Sequence, residues 1–342
     1  MYKHFIRPIL FRFPPETAHR LTLKALRALR HIPGVPAVAR FIFRCKAPSL
    51  RRQLWGLDFP NPVGLAAGID KNGEFYNEFS WFGFSFIEIG SLTKLPQQGN
   101  PKPRLFRLPQ DRALINRMGI NNNGVDYAID HIKKDPPKRI ICASIAKNTL
   151  SASDEDIIND YKTAFSRLYD FVDMFTINVS CPNVEGLQGL QDVSYLSDVV
   201  DPILDLRICY DKYKPILIKV SPDIPTEELY GILDYCMMSG VDGIVAGNTT
   251  TSREGLKTSQ SRVEKIGKGG LSGAPVFERN LQLVKNIHEH THGRLPIIGV
   301  GGIMGPEEAR KMLDAGASLI EICTGFIYEG PSAVKRIIRG LK

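Results

Sequence analysis

The sequence lacks three features that would each identify a class of protein directly. It has no run of about 18 or more apolar residues, the length that a helix needs to span a membrane. Its six cysteines form neither a Cys-x-x-Cys pair nor a Cys/His cluster with zinc spacing. We therefore expect no membrane-spanning helix, no disulfide framework, no metal site and a reducing compartment. With 43% hydrophobic and 23% charged residues, the chain has the composition of a folded globular protein.

Acidic residues are almost absent from the beginning of the chain. Residues 1–55 contain twelve Lys or Arg and a single acid, Glu16. The whole chain has 44 basic and 36 acidic residues, so residues 56–342 contain 32 basic and 35 acidic ones. The positive charge is thus confined to one end, and the nearly neutral body argues against nucleic acid as a partner.

Residues 4–44 combine this positive charge with many leucines and phenylalanines, and prolines divide them into short segments. Leu-x-x-Leu spacing with Lys or Arg on the other face predicts amphipathic helices. One interpretation packs these helices on the body with a solvated basic face. The other lays them on an anionic membrane surface with the apolar side in the lipid. A cleaved targeting peptide is not expected, because charges interrupt every apolar run.

From residue 62 onward, short β-branched segments alternate with helical patterns. The candidate strands are residues 62–67, 86–90, 140–146, 174–179, 216–220, 243–247, 297–301 and 319–323. The helical patterns lie near residues 73–81, 121–134, 154–169, 193–212, 226–239, 276–291, 306–315 and 331–341. Eight such units predict an α/β fold, a (β/α)₈ TIM-type barrel, with a doubly wound open sheet as the alternative. Residues 102–108 and 113–118 predict a hairpin inserted over the barrel mouth.

Polar or glycine-rich residues follow nearly every predicted strand. In a barrel these strand ends converge on one face, where active sites are built. The side chains expected to meet there are Lys71, Lys147, Lys219, Asn148, Asn178, Asn183, Asn248 and Cys181. Because buried lysines and amides without matching acids are costly, this set predicts a ligand with acceptor groups and negative charge.

The last three strand–helix units of the predicted barrel indicate that this ligand carries a phosphate. Glycine-rich segments at 269–273, 299–302 and 324–325 follow the sixth, seventh and eighth strands. Loops after strands seven and eight commonly bind phosphate in such barrels. The alternative is a dinucleotide fingerprint, since Gly299, Gly301, Gly302 and Gly305 nearly fit its spacing and Glu321 lies downstream.

Seven segments resemble one family closely, the dihydroorotate dehydrogenases, which are flavin enzymes of pyrimidine synthesis. They are residues 64–71 (GLAAGIDK), 102–107 (KPRLFR), 115–119 (INRMG), 178–183 (NVSCPN), 248–250 (NTT), 269–273 (GGLSG) and 298–303 (IGVGGI). Residues 15–19 (PETAH) are similar to the membrane-associated class 2 branch, which passes electrons to a respiratory quinone. The resemblance implies an N-terminal membrane and quinone-tunnel region over residues 1–50 and an FMN-binding barrel over residues 51–342.

The implied reaction is oxidation of (S)-dihydroorotate to orotate in de novo pyrimidine (UMP) biosynthesis. FMN would take a hydride from C6 and a base would remove a proton from C5. The resemblance also implies a monomeric, peripheral protein on the cytoplasmic face of the cell membrane, held there by its N-terminal helices.

The same resemblance assigns individual residues. The cofactor residues would be Ala67, Gly68, Lys71, Ser91, Ser144, Asn178, Lys219, Gly247, Gly273, Gly302, Cys323 and Thr324. The substrate residues would be Lys71, Asn116, Arg117, Met118, Gly119, Ile120, Asn178, Asn183, Asn248 and Thr249. His19 and Arg107 match positions near the quinone head, and Cys181 matches the base.

Several positions depart from the class 2 pattern. Cys181 stands where that branch usually has serine, as in the soluble class 1 branch, and Val184 replaces the threonine that commonly partners the serine. A thiol is far more acidic than an alcohol and can act as a base without a hydroxyl relay. Ser144, Gly247, Cys323 and Ile120 replace the usual Asn, Thr, Tyr and Phe.

Three competing functions remain open at this level. The first is a class 1-like enzyme that uses fumarate, which Cys181 and Val184 permit. The second is an FMN barrel that reduces tRNA uridines, although such a protein should have a basic body. The third is a non-catalytic binding protein docked on a membrane.

Overall fold

The computed structural model describes residues 2–179 and 193–342. The N-terminal extension (residues 1–50) begins with a π-helical turn, Tyr2–Ile6, followed by three helices. These are α1 (Arg7–Phe11), α2 (Pro15–Arg30) and α3 (Val35–Phe43). A small antiparallel hairpin, β1 (Arg52–Leu54) and β2 (Leu57–Phe59), joins the extension to the body.

Eight parallel strands of the body close into a barrel. In chain order the remaining strands are β3 (Val63–Leu65), β4 (Phe86–Leu92), β5 (Leu105–Leu108), β6 (Ala113–Asn116), β7 (Ile140–Ile145), β8 (Met174–Asn178), β9 (Ile216–Val220), β10 (Gly243–Ala246), β11 (Gly270–Gly273), β12 (Ile297–Val300) and β13 (Leu319–Ile322). The barrel order is β3-β4-β7-β8-β9-β10-β12-β13, and β13 pairs back onto β3 with Ile320 opposite Val63. All eight predicted strands are confirmed, and closure excludes the open sheet.

Helices cover the outside of the barrel. They are α4 (Tyr76–Phe79), α5 (Gly124–Lys134), α6 (Asp154–Leu168), α7 (Val193–Ile208), α8 (Thr226–Ser239), α9 (Gln260–Ile266), α10 (Phe277–Thr291), α11 (Pro306–Asp314), α12 (Thr324–Glu329) and α13 (Ala333–Leu341). Single 3₁₀ turns occur at Pro48–Leu50, Ser80–Phe82, Pro109–Asp111, Tyr169–Phe171 and Ala274–Val276. The strands are buried on both faces because the helices cover one and the barrel interior buries the other.

The amino-terminal end of the barrel is closed by an aromatic plug. Phe59, from the hairpin, is fully buried and its ring packs edge-on against Phe86 at 5.5 Å. Phe86 in turn lies against Gly64, where an added Cβ would come within 2.2 Å of its ring. The opposite end, where the strands finish, is therefore the end at which a site can form.

The predicted hairpin over the mouth is confirmed, but it has a third strand that the sequence did not predict. β5 pairs with β6, and β6 also pairs with β11, so that Gly273 lies opposite Ala113. Residues 269–273 were expected to be a phosphate loop. Their glycines lack strand propensity, and only the unpaired edge of β6 makes them extended.

The N-terminal extension is attached to the body by apolar packing, with Leu26 in the main core and Phe43 against Phe82, and by ion pairs. Arg27 pairs with Glu74 at 2.7 Å, and Arg30 pairs with Glu78 at 2.9 Å. Among the described residues, ten of the sixteen exposed large hydrophobic side chains belong to this extension, led by Phe41 at 87% exposure and Phe5 at 67%. None of the described helices has the length and apolar character needed to cross a bilayer.

Candidate active site at the carboxyl ends of the barrel strands

Three polar side chains from consecutive barrel strands meet at the mouth. Asn178 Nδ2, at the end of β8, donates to Ser91 Oγ on β4 at 2.8 Å. Ser91 Oγ lies 2.8 Å from Ser144 Oγ on β7, so the three form a chain of hydrogen bonds. Ser144 thus has a partner although it replaces the usual asparagine, and the predicted residues Ser91, Ser144 and Asn178 are brought together.

Lys219 lies just below this chain and has an acidic partner. Its Nζ donates to Glu88 Oε2 at 3.3 Å, and both residues are buried. The same oxygen accepts a hydrogen bond from the amide of Ala67 at 2.9 Å. A second buried acid, Glu321 on β13, faces the same interior. The expectation that the lysines lack matching acids is therefore wrong for Lys219.

Sequence reasoning missed Glu88 and Glu321 as interior groups. The indication was available, because each stands alone in an apolar strand, FIEIG and LIEIC. An acid in the middle of a strand that is buried on both faces has no access to water and must find a partner inside. Glu321 therefore belongs to the barrel interior and not to a ribose-binding loop, which removes the dinucleotide alternative.

Burial is the largest influence on the pKa values of the ionisable groups in this interior. Burial alone would lower the pKa of Lys219, but the charges of Glu88 and then Glu321 raise it above its usual value. The pKa of Glu321 is raised well above its ordinary range, first by burial and then by the charge of Glu88. Burial likewise raises the pKa of Cys142, whose Sγ lies 3.2 Å from Thr176 Oγ1. These directions favour the charged form of Lys219 and the neutral form of Glu321.

The loop after β3 is held in a compact turn by its own backbone and by Asp70. Lys71 Nζ donates to the carbonyl of Gly68 at 2.7 Å, and Gly68 N donates to Gly90 O at 2.8 Å. The Asp70 carboxylate accepts from the amides of Glu74 and Phe75, at 2.9 and 2.8 Å. Burial raises the pKa of Asp70 to about 6. Asp70 is thus a supporting residue that the sequence analysis passed over.

The glycines predicted to hold phosphate lie around one corner of the mouth. Thr324 Oγ1, at the start of α12, is 2.8 Å from Ser272 Oγ at the end of β11. An added Cβ at Gly273 would come within 2.4 Å of the Arg112 carbonyl, and one at Gly325 within 2.1 Å of the Ile303 carbonyl. Gly273 and Thr324 therefore meet as predicted. The first amides of α12 have no acceptor within the helix, which suits them to an anion.

Residues 116–120 form the edge of the mouth beside the inserted sheet. The Arg117 guanidinium donates to the carbonyls of Ile266 and Lys268, at 2.7 and 2.8 Å, and stacks over Phe106. The Arg117 side chain is thus already bonded to the backbone at the end of α9. Gln97 Nε2 holds the carbonyls of Gly119 and Ile120, at 3.1 and 3.0 Å, while the Met118 carbonyl accepts from Asn100 N at 3.0 Å.

The strand β10 contributes Asn248 and Thr249 to the other side. Asn248 Oδ1 accepts from the Thr249 amide at 2.8 Å, which fixes the turn. Thr249 Oγ1 is buried and has no hydrogen-bond partner among the described residues. Gly247, at φ +116°, has no room for a Cβ, which would come within 2.2 Å of the Val300 carbonyl.

Lys147 and Asn148, which follow β7, bond the backbone of neighbouring loops. Lys147 Nζ donates to Ser151 O at 2.8 Å. The Asn148 amide bonds the backbone of Leu95 in both directions, at 3.0 and 2.8 Å. Cys181, Asn183 and Val184 lie outside the described residues.

The two predicted quinone residues lie on the seam between the N-terminal extension and the body. Burial and then the nearby charge of Lys71 lower the pKa of His19 to about 4, and His19 also has a hydrogen bond to the backbone of Ile69. Arg107 donates to Phe13 O at 2.7 Å and stacks over Phe11 at 4.4 Å. His19 thus contacts the Lys71 loop, while Arg107 holds the α1–α2 junction.

A closed (β/α)₈ barrel with a polar, glycine-lined mouth at the carboxyl ends of its strands is the architecture of a barrel enzyme. The family model for Dihydroorotate dehydrogenase matches residues 49–342. "Dihydroorotate dehydrogenase (quinone)" of Christiangramia forsetii is 44% identical, covering 98% of this chain and 97% of that protein. The protein of the same description from Coxiella burnetii is 42% identical, covering 100% and 97%.

Solved structures agree with the sequence matches. A ligand-free DHODH from Eimeria tenella has a TM-score of 0.86 and 32% identity, covering 96% of this chain and 94% of that chain. The same enzyme in complex with ferulenol has a TM-score of 0.83 at 32% identity, covering 96% and 90%. The chain belongs to the dihydroorotate dehydrogenase family, and the resemblance to its class 2 branch is confirmed.

Proposed function

We propose that this protein oxidises (S)-dihydroorotate to orotate in de novo pyrimidine biosynthesis and passes the electrons through FMN to a respiratory quinone. The observation that carries the proposal is the set of Lys71, Lys219 and Asn178 at the mouth of a barrel of this family. Two cations and an amide suit an anionic, ring-shaped substrate stacked on a flavin.

The described residues fit FMN. Thr249 Oγ1 is a buried polar atom without a partner among them, as expected where a ligand supplies one. Gly68 has open space on its Cβ side, with Lys71 Nζ as the nearest atom at 3.7 Å. The amides of Thr324 and Gly325, beside Gly273 and Gly302, would hold the phosphate. When bound, FMN supplies the hydride acceptor.

The chain's own residues supply the remaining chemistry. Cys181, as a thiolate, takes the proton from C5 while the hydride leaves C6, so that a C5=C6 double bond forms and the thiol later returns its proton to solvent. Lys71 balances the substrate carboxylate. Asn116, Asn178, Asn183 and Asn248 hydrogen-bond the ring amides, because asparagine offers both a donor and an acceptor.

The N-terminal extension would form the quinone and membrane end of a monomeric protein. Its exposed Phe5, Ile9 and Phe41, together with its positive charge, suit an anionic lipid surface on the cytoplasmic side of the membrane. A quinone that enters between these helices and the barrel would meet His19 and Arg107.

The test uses the purified protein with its bound flavin. Dihydroorotate is supplied, and orotate formation is measured with a soluble quinone analogue and, in parallel, with fumarate. Faster turnover with the quinone supports the proposal. Preference for fumarate would overturn the quinone assignment, and absence of orotate with either acceptor would overturn the reaction itself.

A further inference from the structure

The barrel interior contains more acid than base. Among the described residues Lys219 Nζ has a single carboxylate contact, to Glu88 Oε2, and that oxygen also accepts from Ala67 N. Two of the three remaining carboxyl oxygens, Glu88 Oε1 and Glu321 Oε2, are buried and receive no hydrogen bond from any described residue. The carboxyl groups of Glu88 and Glu321 lie within hydrogen-bonding reach of each other.

Few other groups could balance the second acid. Val245 lies in register beside Lys219, and Val300 lies in register beside Glu321. Cys142, in register beside Glu88, is already in contact with Thr176. Lys71 belongs to the loop after β3, where its Nζ donates to the Gly68 carbonyl. Two ionised carboxylates beside one ammonium would leave a buried, uncompensated charge, whereas one proton shared by the two carboxyl groups removes it.

We propose that Glu88 and Glu321 form an acid–carboxylate pair that shares one proton, with Glu88 as the positioning residue for Lys219 and for the Ala67 amide. The role of the pair toward FMN rests on the proposed function. The raised pKa of Glu321, caused first by burial and then by Glu88, agrees with this arrangement. The cluster is then neutral overall, with one positive and one negative charge.

The single negative charge of this pair matters because it lies beside Lys219, a predicted flavin contact. Negative charge near a flavin disfavours its reduction, so the pair lowers the midpoint potential that Lys219 alone would produce. Glu88 also fixes the first amide of the Ala67–Gly68 turn, and thereby couples that turn to the position of Lys219.

The experiment compares midpoint potentials of the FMN-loaded parent protein, Glu321→Gln, and the double variant Glu88→Gln/Glu321→Gln, measured against reference dyes at neutral pH. Glu321→Gln replaces one neutral group by another and should leave the potential unchanged. The double variant removes the remaining charge and should shift the reduction equilibrium about tenfold or more toward reduced FMN. If Glu321→Gln shifts the midpoint potential as much as the double variant does, the shared proton is ruled out. If neither variant shifts the midpoint potential, the proposal is also overturned.

A second measurement does not need FMN or a folded double variant. The parent should show the infrared C=O band of a protonated buried carboxyl, and Glu321→Gln should lose it because Glu88 alone beside Lys219 is ionised. Absence of the band from the parent would overturn the proposal.

The matched control is Glu78→Gln, which alters a buried acid paired with Arg30 away from the mouth and should change neither the potential nor the band. A protein that bound no FMN would count against the proposed function, whereas the infrared band would still test the pair.

Discussion

Glu16, the one acid among the first 55 residues, forms a two-contact ion pair with the buried guanidinium of Arg104. Arg104 Nη2 lies 2.7 Å from Glu16 Oε1, and Nε lies 3.3 Å from Oε2. Arg104 also donates to the carbonyls of Gln98 and Asn100, at 2.6 and 3.0 Å. The pair therefore attaches α2 to the loop that leads into the inserted sheet.

Glu16→Gln should loosen the N-terminal extension, because it leaves Arg104 buried without its counter-charge. Loss of a charged hydrogen bond of this kind costs about 1–3 kcal/mol. We expect lower turnover with quinone but unchanged reduction of the flavin by dihydroorotate, measured by stopped-flow absorbance. Glu307→Gln, which removes only the exposed pair with Lys311, is the control and should change neither rate.

The same ion pair predicts a dependence on pH. Burial alone would raise the pKa of Glu16, but the hydrogen bond and charge of Arg104, with Lys102, hold it below its usual 4.5. A lowered folded-state pKa means that the stabilisation is complete above pH 4.5 and is lost as the pH falls through the lower value. Protease cleavage within the extension should accelerate in that range, and cleavage equally slow at all acidic pH values would contradict this.

Cys181→Ala should retain FMN and dihydroorotate binding but slow flavin reduction by about 10²–10⁴-fold, the usual contribution of a general base. Rapid-mixing absorbance measures the reduction, and equilibrium titration measures binding. Cys209→Ala, at an exposed cysteine, serves as the control. Near-normal reduction in Cys181→Ala would refute its assignment as the base.

Gly302→Ala should weaken FMN binding at least tenfold, because the new Cβ would lie 2.4 Å from the Phe277 Cα and the loop must shift. Gly56→Ala is matched for backbone strain, since φ is +76° at Gly302 and +77° at Gly56, but nothing lies within 4 Å of a Cβ there. The control should lose only about 1–2 kcal/mol of stability. Flavin fluorescence and thermal unfolding separate the two effects. Equal flavin affinities in both variants would contradict the prediction that Gly302 lies at the FMN phosphate site.

His19 should make the protein less stable as the pH falls from 6.5 to about 4. Burial, and then Lys71, lower its folded-state pKa to about 4, so in this range the unfolded chain binds a proton that the folded chain does not. His19→Gln should recover about 1–3 kcal/mol of that loss, visible as a flatter plot of Tm against pH. His31→Gln, at an exposed histidine of the same extension, should behave like the parent.

Local pattern was sufficient for the elements and for much of the mouth. Each barrel strand is an apolar run that ends in polar or glycine residues, and both features are visible in a few consecutive letters. Because parallel strands all finish at one end of a barrel, placing Asn178 and Lys219 together followed from the strand assignment. Ser91 and Ser144 were indicated by the family resemblance.

Local pattern was insufficient wherever a residue's role depends on a partner far along the chain. The glycines of β11 become a strand only because β6, more than 150 residues earlier in the chain, presents an unpaired edge. Glu321 fits a dinucleotide fingerprint in the sequence but faces Glu88 across the barrel interior.

The sequence by itself therefore determined the eight strands, the convergence of their polar ends and the family. Only the tertiary structure decided which charges meet, because Glu16 and Arg104, or Glu88 and Lys219, are 88 and 131 residues apart. Barrel closure and docking of the N-terminal extension bring such groups together, and the burial that follows makes each unpaired charge costly enough to require its partner.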